Sequence, residues 1–195
     1  MTKDEPYDEM GAAERAGFAG MPAVIGKYVR IVDAVNRVVG RFTMYLIFVM
    51  IGILMYSAIM RGALDYGFVS MSPLWTLEMA QFVMTAYYML GGGWSIQDDG
   101  HVRMDLAYSR WSPKRKAIVD CFTVFFLIVY LGVMLYGGLS STSYALQYGE
   151  TSYSSWAPYM APIKIIMCIG ILLMLLQAVA QLFKDIAIVR GESLA

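Results

Sequence analysis

FTMYLIFVMIGILMYSAIM, residues 42–60, contains no charged side chain and is bracketed by Arg41 and Arg61. Crossing ~30 Å of hydrocarbon takes ~20 mostly apolar residues wound into a helix, because lipid cannot hydrogen-bond to an open backbone. The stretch therefore reads as a transmembrane helix, and it sets the frame for the rest of the chain. Three further stretches match it. One runs from Leu74 with Glu78 as its only charge, one begins near Ile118 with Asp120 in its first turn, and one begins near Tyr159 and closes at Lys184.

Composition agrees. Of 195 residues, 58% are hydrophobic and 15% are charged, against about 25% charged in an ordinary soluble domain. A chain this apolar cannot cover a water-facing surface, and its length suits one compact membrane domain. The net charge of +0 gives no basic field for nucleic acid. Cys121 and Cys168 both fall in apolar segments and read as small core residues. The acidic first twenty residues do not resemble a cleavable signal peptide.

Orientation follows from the cations. Thirteen of the fifteen Lys and Arg residues fall before span one, between spans two and three, or after span four; only Arg61 and Lys164 face the other side. The richer side is cytoplasmic by the positive-inside bias. The expected fold is all-α: an integral membrane four-helix protein with spans at about 42–62, 74–97, 117–139 and 159–183, N-in and C-in. Residues 1–22 are expected to be a disordered cytoplasmic N-terminus and 187–195 a cytoplasmic tail.

Residues 23–41 repay a helical-wheel count. Ile25, Tyr28, Ile31, Val32, Val35, Val38 and Val39 share a broad face, with Lys27, Arg30, Arg37 and Arg41 opposite. That is the pattern of an amphipathic interfacial helix lying at the headgroups. The alternative is a cytoplasmic extension of span one. After span two, Met104, Ala107, Tyr108 and Trp111 recur at helical spacing, which suggests a second short surface helix. Ser112 and Pro113 are suited to N-cap and open span three. Residues 137–162 read as a long outer loop, rich in Ser and Tyr, with Glu150 as its charge.

Candidates for chemistry are few. The single histidine, His101, excludes a bis-histidine haem and a His-rich metal site. No cofactor is expected, and the pattern argues against catalysis. Gly91, Gly92 and Gly93 lie within a span, where small residues let helix backbones approach. Glu78 is the ionisable group inside a span and so a candidate by default, although it lies about a turn from the outer end. Gln177 and Gln181 read as helix–helix hydrogen-bond donors.

Trp75-x-x-Glu78 opens span two, Gly92 and Trp94 follow, and then comes Asp99-Gly100-His101-Val102-Arg103-Met104-Asp105. On these residues the chain, from about 35 to 183, resembles the small membrane subunit (DctQ-like) of tripartite ATP-independent periplasmic, or TRAP, transporters. The His-Val-Arg-x-Asp string is the most specific part. Two features depart from the family pattern: Ser155 rather than proline precedes Trp156, and Lys164 stands at the outer end of span four.

The resemblance implies a bacterial inner-membrane protein working with two partners. A soluble periplasmic binding protein captures an organic acid, often a dicarboxylate, and a large multi-spanning subunit moves it inward, usually on a sodium gradient. The small subunit packs beside the large one, without a binding site of its own. Implied roles for His101, Arg103 and Asp105 are to pin the cytoplasmic loop; Trp75 and Glu78 would hold the outer end of span two. Two other classes stay open: a self-sufficient oligomeric transporter with Glu78 as its coupling acid, and a membrane redox subunit, which the lone histidine disfavours.

Overall fold

A computed structural model describes residues 23–67, 73–98 and 113–190. Four helices make up the fold: α1 (Ala23–Asp65), α2 (Trp75–Gln97), α3 (Pro113–Tyr148) and α4 (Ala161–Arg190). All six prolines of the sequence lie outside these helices or in their first turns, where a missing N–H costs least. Among the described residues, α1, α3 and α4 are long and apolar enough to cross a membrane. The 23-residue α2 has the length as well, about 34 Å. Its glycine run, Glu78, Gln81 and hydroxyl residues leave it without a membrane-length window as apolar as those of the other three.

α4 is the centre of the bundle. α3 and α2 pack along it, α1 packs along α2, and the N-terminal half of α1 also reaches α4. Of the apolar window in each spanning helix, 39% is buried in α4 but only 11% in α1 and 6% in α3. The α3–α4 seam is made by Leu131 against Ile171. Higher up, Gly138 lies against Cys168, and the Thr142 hydroxyl sits 3.3 Å from the Cys168 sulfur.

Three boundaries differ from the sequence expectation. α1 runs uninterrupted for 43 residues, so residues 23–41 do not form a helix of their own. Val29, Val32, Asp33, Asn36, Gly40 and Thr43 form one buried face, while Ile31, Val35 and Val38 of the expected apolar face are exposed. The wheel scored aliphatics against cations, whereas the packed face is set by small and polar residues. α3 continues to Tyr148, shortening the outer loop to 149–160. Gly138 and Thr142, which read as loop residues, are packed on α4, and the Thr142 hydroxyl donates to the Gly138 carbonyl at 2.7 Å. α4 likewise runs on to Arg190. The second surface helix and Ser112 lie outside the described residues.

The outer loop is held by its own bonds. Gly149, with φ +59, ends α3 in the left-handed conformation that favours glycine. Ser152 N donates to Pro158 O and Met160 N to Glu150 O, both at 2.9 Å. Lys164 donates to the Glu150 carboxylate. The cation that departs from the family pattern is thus the partner of the loop's acid.

Candidate functional site

Two clusters of polar side chains stand at opposite ends of the bundle. The larger lies toward the N-terminal end of α1 and the C-terminal end of α4. Asn36 Nδ2 donates to Gln177 Oε1 at 2.7 Å. Gln177 Nε2 in turn donates to Asp33 Oδ1 at 2.7 Å, and Lys184 Nζ donates to Asp33 Oδ2 at 2.7 Å. One turn away, the Tyr28 hydroxyl donates to the Leu176 carbonyl at 3.0 Å, and the Tyr28 ring meets Phe183 edge-on. Gln177 and Asn36 are fully buried, and Asp33 nearly so.

α2 closes this cluster from the third side. A side chain at Gly93 would collide with Asn36 Oδ1, so only the glycine Cα hydrogen fits there. It faces an oxygen that has no hydrogen-bond partner among the described residues, as a weak Cα–H···O contact. Neighbouring positions are as tight. A Cβ at Gly40 would fall 2.6 Å from the Trp94 ring, and one at Gly170 would fall 2.6 Å from the Met89 carbonyl. The glycine run is therefore where α2 meets α1 on one side and α4 on the other.

The second cluster lies at the outer end. Thr76, fully buried, donates to Pro73 O at 2.9 Å and lies 3.0 Å from the Ser57 hydroxyl of α1. Trp75 rests on Tyr56 with ring centroids 5.8 Å apart. Glu78 is half-buried, and its Oε2 is enclosed without a hydrogen-bond partner among the described residues.

A groove of about 420 Å³ opens on the outer face of α2. Gly40, Gly91 and Gly92 line it together with Met44 of α1, Met174 of α4 and Tyr88, and Asp98 stands beside it at the C-terminal end of α2. Its lining is mostly apolar, with no cluster of ligating groups. Among the described residues no group of three or more His, Cys, Asp or Glu side chains could hold a metal ion.

The site residues singled out in the sequence divide into three sets. Trp75 and Glu78 stand together at the outer end of α2. Gly92 packs on Met174, and Trp94 on Gly40. Asp99, Gly100, His101, Arg103 and Asp105 lie outside the described residues. Asp33 and Asn36 were missed by sequence reasoning. The available signal was their recurrence with Val29, Gly40 and Thr43 at helical spacing, a small and polar stripe inside an apolar helix. Gln177 bonds across helices as its position suggested, whereas Gln181 donates within α4 to Asp185, at 3.3 Å.

One family has a sequence model that matches this chain, over residues 50–187: the DctQ component of tripartite ATP-independent periplasmic transporters. No curated protein and no solved structure matches.

Proposed function

The chain belongs to the DctQ family of transporter components, and from that premise we propose that it is the static small permease subunit of a tripartite uptake system. In this reading it sits in the bacterial inner membrane with both termini in the cytoplasm. It braces a large multi-spanning subunit, which moves an organic acid inward on a sodium gradient after delivery by a periplasmic binding protein. The observation that carries the reading is the Asp33–Gln177–Lys184 network with the glycine seams beside it. Together they tie α1, α2 and α4 into one unit over the cytoplasmic half, which suits a support more than a moving part. Such buried networks fix which surfaces meet, whatever they add to stability.

The reading is tested by reconstituting the large subunit and binding protein in liposomes with and without this chain. Uptake should fall to background when it is left out. Solute uptake by this chain alone would overturn the proposal.

Glu78 carries a second reading, because an acid inside a span is a functional candidate by default and its enclosed oxygen has no hydrogen-bond partner among the described residues. Glu78→Gln separates the two. On the bracing reading it lowers co-purification with the large subunit and leaves the pH profile of uptake unmoved. An intact complex with a shifted profile would favour the coupling acid.

A further inference from the structure

Charges of both signs stand at one end of the groove on α2. Gly40 lies against Trp94, and Thr43 against Gly91. α1 and α2 are therefore antiparallel there, and Arg37 comes level with Gln97, the last residue of α2. Arg37 lies two turns before Met44 on the same stripe of α1. It carries the Met44 wall of the groove out to the mouth. Arg41 is one turn deeper, about 6 Å, and its side chain is long enough to reach the same level. Both arginines are exposed.

The α2 side of the mouth is negative. Asp98 caps α2, lines the groove and is exposed. It adds a carboxylate to a helix end that already bears the negative pole of the backbone dipoles, and the last turn of α2 holds no basic residue to offset it. Among the described residues, Arg37, Arg41 and Asp98 join no ion pair, with one another or elsewhere; the pairs there are Lys164–Glu150 and Lys184–Asp33. Because α2, at about 34 Å, just crosses a ~30 Å core, the mouth stands at headgroup level. Deeper in, Met44, Met174 and Tyr88 make the lining apolar, and methionine adapts to irregular shapes.

We propose that this groove holds a phospholipid with a primary-ammonium headgroup, of the phosphatidylethanolamine type. Its phosphate meets Arg37 and Arg41, its ammonium meets Asp98, and an acyl chain lies along Met44 and Met174. Guanidinium groups bind phosphate through charge-assisted hydrogen bonds, which any phospholipid can accept. The ammonium makes the choice. It has three N–H donors for a carboxylate and for the open carbonyls of a helix end. A choline headgroup has no N–H to donate, and a glycerol headgroup has no cation to set beside Asp98. Such a site requires only that the chain lies in a membrane, whatever it helps to transport.

Native mass spectrometry tests this on the full-length chain, stripped of lipid in detergent and titrated with equal amounts of dioleoyl phosphatidylethanolamine, phosphatidylcholine and phosphatidylglycerol. The unaltered chain should retain the ethanolamine lipid about fivefold over either competitor, the upper end for an exposed ion pair. Arg37→Gln should weaken retention of all three, because they share the phosphate. Asp98→Asn should abolish the preference and leave retention of the choline lipid unchanged, a split that general loss of structure would not produce. Met44→Trp, at an exposed position, should obstruct the acyl chain and lower retention while circular dichroism shows the helices intact.

Equal retention of the three lipids by the unaltered chain would mark them as adventitious and overturn the proposal. So would a preference that survives Asp98→Asn. Unchanged retention by Arg37→Gln would overturn it too, as expected if Arg37 and Asp98 simply satisfied each other. Cross-linking of Met44→Cys to an assembled membrane partner, with the lipid lost, would give the groove to a protein helix instead.

Discussion

The two halves of this bundle, the one where α1 begins and the one that carries the outer loop, are held together by different chemistry. In the half where α1 begins, an amide, a carboxylate and an ammonium group bond across α1 and α4 at 2.7 Å, and glycines bring α2 within backbone contact. In the outer half, α1 and α2 share one hydroxyl pair and one tilted ring pair, and Glu78 keeps an oxygen without a hydrogen-bond partner among the described residues. The contrast teaches where stiffness is placed. A helix bundle in lipid gains little from apolar contact alone, because lipid tails are as apolar as leucine. Steric fit and polar bonds decide which end is fixed, and here they favour the end where α1 begins.

Substitutions in the two halves can break or sharpen that comparison, read by denaturant titration of the purified chain in micelles. The largest effect is expected at Gly170→Leu. A side chain there meets the Met89 backbone, and overpacking costs about 1–3 kcal/mol or more, enough to part α2 from α4. Next comes Asp33→Ala, which strands Lys184 and one amide hydrogen of Gln177. Removing one partner of a buried pair costs about 3–5 kcal/mol, and because Lys184 is 21% exposed about 2 kcal/mol is expected. Smallest is Thr76→Val in the outer half, at about 0.6 kcal/mol, the usual worth of an interhelical hydrogen bond in lipid. If Thr76→Val proved as damaging as Asp33→Ala, the two halves would be equally braced and the contrast would fail.

How much of this was legible in the sequence depended on whether a signal was local. The spans announce themselves by composition, and α2 (Trp75–Gln97) differs from the expected 74–97 by one residue. The glycine run marked itself as a place of close approach because nothing else explains three glycines inside a span. Asp33 and Asn36 did not show, because their partner Gln177 is more than 140 positions away and no periodicity within α1 names it. The extent of α3 was hidden for a related reason. Gly137, Gly138 and the Ser/Thr run after them have weak helix preference, and contact with α4 overrides it. Lys164 looked out of place until the fold set it beside Glu150.

The long separation between Asn36 and Gln177, 141 positions, also sets an order of events during synthesis. A ribosome adds about 5–20 residues each second, so α1 waits roughly 7–30 s in the bilayer before the glutamine that completes its amide pair is made. Through that interval Asp33 and Asn36 are unmatched polar groups in a nascent membrane protein. Chains truncated before α4 keep them so indefinitely. α4 is thus the keystone, since Gln177 and Lys184 supply the partners of Asp33 and Asn36.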